Sequence, residues 1–301
     1  MTPLVSIITA TYNRSNVLQY TIRSVLDQTF SNWEMLIVGD GCTDDTEQVV
    51  AAFQDSRIRF IKLPENIGEQ SGPNNEGLKQ ARGEFVAMLN HDDLWFPDHL
   101  QRGLDALRQP KTDVVIGMGV VVNPDSSFQL YGVFPDNRYR PVDFVPASGW
   151  LFRKSLLEEV GYWRSFRHLW IYPSQDWLIR AYKAGKHLVP THHLTWLAVP
   201  SGVRKNVYLD REEFENRQYY YHISTNPSFR EQILTAVAVA TETQNRRFPV
   251  GSLWRQGVKN LIIRQLINLG LLPVQVRFMV RYWRRGGALN ALRKMRGLSK
   301  I

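Results

Sequence analysis

Short apolar runs alternate with amphipathic stretches through the first 110 residues. Val5-Ser6-Ile7-Ile8-Thr9-Ala10 predicts a buried strand, and Val17, Leu18, Ile22, Val25 and Leu26 follow at helical spacing. Ser15 or Asn16 caps that helix, which the pattern carries to about Gln28. Trp33-Glu34-Met35-Leu36-Ile37-Val38 and Ile58-Arg59-Phe60-Ile61-Lys62-Leu63 predict two more strands, with a helix from Thr46 to Phe53 between them. A Gly/Asn-rich loop, Glu65 to Pro73, precedes a helix ending near Arg82. Phe85-Val86-Ala87-Met88-Leu89 is a fourth strand, and Pro97 opens a helix to about Arg108. This alternation predicts an α/β fold, a mostly parallel sheet with helices on both faces. Right-handed crossovers then bring the C-terminal ends of the strands to one rim.

Beyond residue 110 the pattern loosens. Val114 to Val122 is a strand, and a region rich in Pro, Phe and Tyr follows it. Ser148-Gly149-Trp150-Leu151-Phe152 leads to a short helix closed by Gly161. Pro173 to Gly185 predicts a helix with Ser174 as cap, which places Asp176 in the first turn, at the positive end of the dipole. Arg211 to Ser224 and Phe229 to Thr243 predict two further helices.

Charge divides the chain in two. The segment after Glu242 holds 13 of the 37 Lys and Arg residues and none of the 28 acidic ones, so residues 1–242 carry a net −4. From Leu253 onward Trp, Leu and Ile interleave with Arg, the pattern of a basic amphipathic helix at an anionic membrane surface. A stretch of +13 also attracts nucleic-acid phosphates, but no recognised binding module accompanies it, so no nucleic-acid partner is expected. The longest uncharged tail run, Gln265 to Val276, holds Gly270 and Pro273 and is too short to span a bilayer. Cys42 is the only cysteine, which excludes an internal disulfide and suits a cytoplasmic setting.

Polar chemistry gathers where the predicted strands end. Asp92-Asp93 follows the fourth strand. Two adjacent carboxylates there suit a hard cation shared with a substrate diphosphate, or equally a solvated turn that caps a helix. Asp40, between Gly39 and Gly41, fits an acceptor for an imide N–H such as that of uracil or thymine, or an ordinary Asp-Gly turn. His192-His193 invites a metal reading, with one of the two, His193 as the candidate, completing a metal shell or touching a diphosphate, or else a polar pair at a strand end. Arg204 and Lys205, in a basic loop after Pro200, are placed to face phosphates or water. No Walker Lys follows the Gly/Asn loop and no Gly-x-Gly-x-x-Gly follows the first strand, which excludes a P-loop and a dinucleotide fingerprint.

Five segments taken together resemble a known family. Val5 to Arg14, Val38-Gly39-Asp40-Gly41-Cys42-Thr43-Asp44-Asp45-Thr46, Asn66-Ile67-Gly68, Ala81-Arg82-Gly83-Glu84-Phe85 and Asn90-His91-Asp92-Asp93 are similar, in order and spacing, to a family 2 (GT-A fold) glycosyltransferase of the bacterial type. The resemblance covers residues 4–200. It implies a GT-A, Rossmann-like catalytic domain over 1–208, with a nucleotide-binding half to about 110 and an acceptor half from 111. A helical basic region over 209–301 would follow. Thr9, Ala10, Tyr12, Asn13, Asp40, Asn66 and Asp92 are the implied nucleotide contacts, and Asp93 with Asp92 the implied holders of Mg²⁺ or Mn²⁺. Asp176, matched through Gln175-Asp176 to a Glu-Asp element, is the implied base.

The expected function is inverting transfer of a sugar from a UDP- or dTDP-sugar to a glycan or lipid-linked acceptor. The expected place is the inner face of the cell membrane, reached through residues 252–301. Three departures stand out. Gly39 and Asn90 occupy positions where an Asp is frequent, and Asn74 one where an Arg is common. They keep alive a non-catalytic glycan- or membrane-binding relative that retains the fold. A nucleotidyltransferase on a similar sheet would need a Lys/Arg-bearing triphosphate loop after the first strand, and none is present.

Overall fold

A computed structural model describes residues 2–246, 261–262, 265–266, 273–283 and 285–299. The sheet opens with four parallel strands, β1 (Val5–Thr11), β2 (Trp33–Gly39), β3 (Ile58–Lys62) and β4 (Phe85–Met88), in the order β3-β2-β1-β4. Helices α1 (Ser15–Leu26), α2 (Thr46–Ala51) and α3 (Ser71–Gln80) make the crossovers. Successive strand residues face opposite sides, so Ile7, Met35 and Ile37 join Leu18 and Ile22 of α1, while Ile8 and Leu36 join Leu78 of α3. Burial on both faces is why β1, β2 and β4 read as mostly apolar runs, whereas β3, at the sheet edge, keeps Arg59 and Lys62 exposed.

The second half of the sheet is mixed. Beyond β4 come β8 (Trp150–Arg153), β6 (Val114–Val122), β9 (Leu188–Ala198) and β5 (Asp93–Trp95), with β7 (Phe128–Tyr131) paired to β6. β6 and β9 pair in parallel, whereas the short β5, β7 and β8 run antiparallel. Two antiparallel steps, β4 to β8 and β8 to β6, restore the direction, so β6 and β9 run with β1 to β4 and end on the same rim, while β5, β7 and β8 run against them. β5 begins only five residues after β4 ends, too few for a crossover helix.

Several helix starts differ from the sequence expectation: α1 has Arg14 at its cap position, so Ser15 and Asn16 are already helical, and the helix expected from Arg211 begins at Phe214. Helix α4 is His99–Leu107 with Asp98 as its cap, so Pro97 lies ahead of the helix instead of opening it. Helix α6 (Pro173–Lys183) is capped by Tyr172 with Pro173 in its first turn, so Ser174 is inside the helix and not its cap. Proline needs no hydrogen-bonded N–H at that first position, which draws the start forward.

One tryptophan organises the middle of the sheet. The Trp196 indole donates to the Gly117 carbonyl at 2.8 Å and lies flat over Gly119 and Gly149. A Cβ on Gly119 would sit 2.0 Å from the indole ring, so only glycine fits there.

After β9 come α7 (Val207–Asp210), α8 (Phe214–Thr225), α9 (Phe229–Arg246), then helices Pro273–Tyr282 and Gly287–Arg296. Tyr219, Phe229 and Ile233 pack with Leu94, Phe96, Val120 and Leu197, so the region after residue 208 shares a core with the sheet. The last helix also packs inward, burying Ala288 and Leu289 against Phe166 and Tyr172. The expected Trp254-Arg255 part of the amphipathic tail lies outside the described residues. No described helix is long and apolar enough to cross a membrane.

Candidate active site

A cavity of about 490 Å³ opens at the C-terminal ends of β1, β2 and β4. Ala10, Thr11, Tyr12, Asp40, Asn66, Gly68, Asn90, His91, Asp92 and Asp93 reach it from four separate loops. Tyr131, Phe144, Phe166 and Tyr172 form an aromatic wall, and Tyr208, Arg293 and Arg296 close it from the C-terminal region.

Asp40 is buried and takes two backbone donors, Ile67 N–H at 2.8 Å and Gly68 N–H at 3.0 Å. Burial pushes its carboxyl up, and those two N–H groups partly offset the rise. Gly41 lets the same loop come close, since a Cβ there would lie 2.5 Å from the Asn66 nitrogen. A carboxylate has about four lone-pair sites, so Asp40 retains acceptors for a ligand while anchoring the loop 66–68. The departure at Gly39 also has a cause. A Cβ on Gly39 would meet the Phe60 ring at 2.6 Å, so an Asp has no room.

Asp92 and Asp93 sit side by side at the cavity floor, and the fold treats them differently. Asp93 Oδ2 accepts from Asn90 Nδ2 at 2.8 Å and Ser148 Oγ at 2.5 Å. Burial, with the Asp92 charge beside it, pushes the Asp93 carboxyl up to about 8. Asp92 Oδ2 accepts from Ser201 N–H at 2.9 Å. Burial raises it, but His91, the Ser201 N–H, Arg296 and Arg14 more than offset this and hold Asp92 below the usual carboxylate range. His91 Nδ1 lies 3.1 Å from the Ala10 carbonyl, which can only accept, so Nδ1 carries the proton. That leaves Nε2 facing Asp92 Oδ2 at 4.0 Å. Burial lowers the His91 pKa, and the Asp92 charge beside it works the other way.

This donor set fits a hard cation. Among the described residues no three His, Cys, Asp or Glu side chains converge to hold a metal by themselves. Mg²⁺ and Mn²⁺ take one or two carboxylates and complete their shell with water and phosphate oxygens, which is what Asp92 and Asp93 leave open.

Other expected residues lie elsewhere. Thr9 is fully buried beneath the cavity. Asn13 ties two loops together, accepting from the Thr43 N–H at 2.8 Å and donating to Thr43 Oγ1 at 3.0 Å. Its contacts are structural. His193 is exposed on β9, near Asp98, Arg102 and Arg230, and is not among the residues that line the cavity. The β6–β9 register shifts at this point and His192 has a φ of 53°, so the regular alternation is broken and both histidines are exposed. Arg204 is spent on Glu215, at 2.5 and 2.8 Å, and so does not face the cavity as a free cation.

Asp176 is also turned away. Ser174 faces the cavity, and two residues further along a helix rotates the side chain by about 200°. Asp176 Oδ2 accepts from Arg180 Nε at 2.9 Å, and Arg164 lies 3.7 Å from Oδ1. Arg180 also donates to the Val160 and Tyr162 carbonyls, so the pair fastens α6 to α5 (Leu156–Val160) and the loop after it.

Glu69 is the carboxylate that the sequence did not single out. It is buried on the cavity wall, and both of its hydrogen bonds, from Ser71 Oγ and Phe166 N–H at 2.9 Å, fall on Oε2. Ser148, Ser201 and Tyr208 were likewise missed. Nothing in their local sequence marks them, because each reaches the site through tertiary pairing.

Comparison with known proteins agrees with this geometry. The family model described as glycosyl transferase family 2 matches residues 6–161. Among curated relatives, the UDP-Glc:alpha-D-GlcNAc-diphosphoundecaprenol beta-1,3-glucosyltransferase WfgD of Escherichia coli is 35% identical over 123 residues, covering 41% of this chain and 48% of that one. A Rickettsia typhi glycosyltransferase, RT0329, is 38% identical over 138 residues, 46% of this chain and 42% of that one. The matched segment therefore spans less than half of these relatives. Staphylococcus aureus TarS 1-349 in complex with UDP-GlcNAc superposes with a TM-score of 0.58 at 18% identity, over 97% of this chain and 90% of that one. The Pyrobaculum calidifontis mannosyltransferase PcManGT, in complex with GDP-Man and Mn²⁺, gives 0.53 at 16% identity, over 97% and 88%. These two share the GT-A fold. With its family model covering residues 6–161 and its strand-end loops meeting at one cavity, the chain belongs to glycosyl transferase family 2.

Proposed function

We propose that this chain is an inverting, metal-assisted glycosyltransferase that moves a sugar from a UDP- or dTDP-sugar to a glycan carried on a lipid diphosphate. The observation that carries the reading is the meeting of Ala10, Tyr12, Asp40, Asn66, Asp92 and Asp93 on one cavity wall. Tyr12, Asp40 and Asn66 face the nucleoside. Asp92 and Asp93 would hold Mg²⁺ or Mn²⁺, which when bound draws electron density from the leaving diphosphate as a Lewis acid. WfgD, by its name, acts on a lipid diphosphate acceptor, and an aromatic wall of Tyr131, Phe144, Phe166 and Tyr172 suits the stacked face of such a sugar.

The acceptor hydroxyl attacks the anomeric carbon, the bond to the β-phosphate oxygen breaks, and the hydroxyl proton passes to a carboxylate. We assign that base to Glu69, whose Oε2 is fixed by two donors at the cavity wall. Asp176, with both oxygens facing guanidinium groups away from the cavity, has a structural part instead. With Asp92 and Asp93 committed to the metal, one base remains, which favours a single displacement.

The tail reading is narrower than the sequence suggested. Helix Pro273–Tyr282 exposes Val280, and Trp283 just beyond it is 87% exposed among Arg277, Arg281 and Arg285, an arrangement that suits an anionic bilayer surface on the inner face of the membrane.

The test is a panel of nucleotide sugars with Mn²⁺ or Mg²⁺, read as nucleoside diphosphate release with and without a lipid-linked glycan. No release and no metal-dependent nucleotide binding with any donor would refute the enzyme reading. That outcome would leave the non-catalytic relative.

A further inference from the structure

The last helix, Gly287–Arg296, lies across the mouth of the cavity. Gly286 and Gly297, both with left-handed backbone (φ +69° and +81°), bracket it. It is pinned at each end, by Gly286 N–H to the Leu169 carbonyl and by Asn206 N–H to the Met295 carbonyl. Leu289 and Leu292 line the cavity below it.

This helix also lowers two guanidinium groups into the site. Arg293 is buried, and donates to the Gly68 carbonyl at 2.9 Å and the Ser299 carbonyl at 2.7 Å. Gly68 is the residue whose N–H binds Asp40, so Arg293 reaches the nucleoside end of the cavity. Arg296 lines the same space with a buried Nε that has no acceptor, and its charge acts on Asp92, His91 and Tyr208. Carbonyl partners leave a guanidinium charge uncompensated. A cation near a helix C-terminus favours the dipole, but Lys294 serves that purpose at the surface without burial. Two cations turned inward from the same turn call for an anion.

We infer that Arg293 and Arg296 bind the diphosphate of the donor, and that the helix Gly287–Arg296 is a clamp that closes over it. The inference rests on the nucleotide-sugar reading. It supplies the cation missing where the resemblance expects an Arg, at Asn74, which is buried within α3. The rest of the site holds the nucleoside with neutral and acidic groups, so phosphate recognition comes from the far end of the chain.

The experiment is a calorimetric titration of the full-length protein and its Arg293→Gln and Arg296→Gln variants. The ligands are UDP, dTDP and GDP, each with its matched nucleoside, in Mg²⁺. The loss of a guanidinium charge predicts about 10-fold to 100-fold weaker diphosphate binding in each variant, with nucleoside affinity unchanged in Arg296→Gln. Arg293 also holds the loop at Gly68, so Arg296→Gln is the decisive variant if Arg293→Gln does not fold. Arg296→Lys is expected to recover part of the loss. UDP is also expected to slow trypsin cleavage after Arg293, Lys294 and Arg296, whereas uridine is not. If the wild type binds a nucleoside diphosphate and both Gln variants bind it equally well, the clamp is wrong while the site reading stands. If the wild type binds none of the diphosphates, both are wrong.

Discussion

Asp40 offers a sharp test, because its carboxylate is a loop anchor in the structure and a base-reading group in the sequence. Asp40→Asn keeps one oxygen for Ile67 N–H or Gly68 N–H, but turns an amide N–H₂ toward the other. A hydrogen bond to a charged group contributes about 1.5–3 kcal/mol. Burial already raises the Asp40 carboxyl, so the neutral amide regains part of the desolvation penalty and the net loss is about 1–2 kcal/mol. Asp40→Ala orphans both buried N–H groups at about 1–3 kcal/mol each, or roughly 2–6 kcal/mol in total. The unfolding midpoint in urea should thus fall in the order wild type, Asn, Ala. UDP affinity should fall in parallel, about 10-fold or more for Asn, because Asn66, Gly68 and Glu69 move with the loop. If both variants unfold at the wild-type midpoint, Asp40 does not anchor the loop. Binding lost in Asp40→Asn without any loss of stability would instead point to direct contact with the base.

Four further outcomes follow from the same coordinates. Glu69→Gln is expected to lower kcat about 10²-fold to 10⁴-fold with donor affinity retained, and Asp176→Asn to lower stability with transfer retained; the reverse pattern would return the base role to Asp176. Glu34 is buried, and although burial raises its carboxyl, Arg82 and Ser6 donate to it and hold it below the usual range. Its stabilising charge is therefore present above the unfolded pKa and lost as pH falls through the lower folded one, so Glu34→Gln should flatten the stability curve below about pH 4.5 in acid-titrated melts. Gly119→Ala should destabilise by about 1–3 kcal/mol or more in thermal melts, because the Trp196 ring is fixed by its bond to Gly117. Trp283→Ser should weaken sedimentation with anionic vesicles and leave nucleotide affinity unchanged; unaltered sedimentation would remove Trp283 from the membrane surface. A point variant is preferred to a tail deletion, which would also remove Arg293 and Arg296.

The strands β1, β2 and β4 were legible because burial on both faces writes them as mostly apolar runs, and the edge strand β3 because Ile58, Phe60 and Ile61 still stand out between Arg59 and Lys62. Val114 to Val122 was legible for the first of these reasons. Short β5, β7 and β8 were not, since three or four residues carry no period and their pairing is set by distant partners. In the site, Asp40, Asp92 and Asp93 were found because each follows a recognisable strand. Asp176 was located in its helix, but the direction of its side chain depended on a start set by Pro173, one residue ahead of the expected Ser174 cap. Glu69, Arg293 and Arg296 carry no local mark. Their importance arises from 225 residues of chain separation closed by one hydrogen bond, Arg293 to Gly68.

The indole of Trp196 ties the core to the carboxylates in a way that constrains how this sequence can drift. Gly149 leaves room for the ring, and Ser148, its neighbour, is the donor to Asp93 and receives Trp95 Nε1–H on its carbonyl at 2.7 Å. A smaller side chain at 196 would let the Gly149 segment settle inward and carry the Ser148 hydroxyl off Asp93. Gly117, Gly119, Gly149 and Trp196 therefore form one heritable unit: no member can be exchanged alone without the acidic pair registering the change.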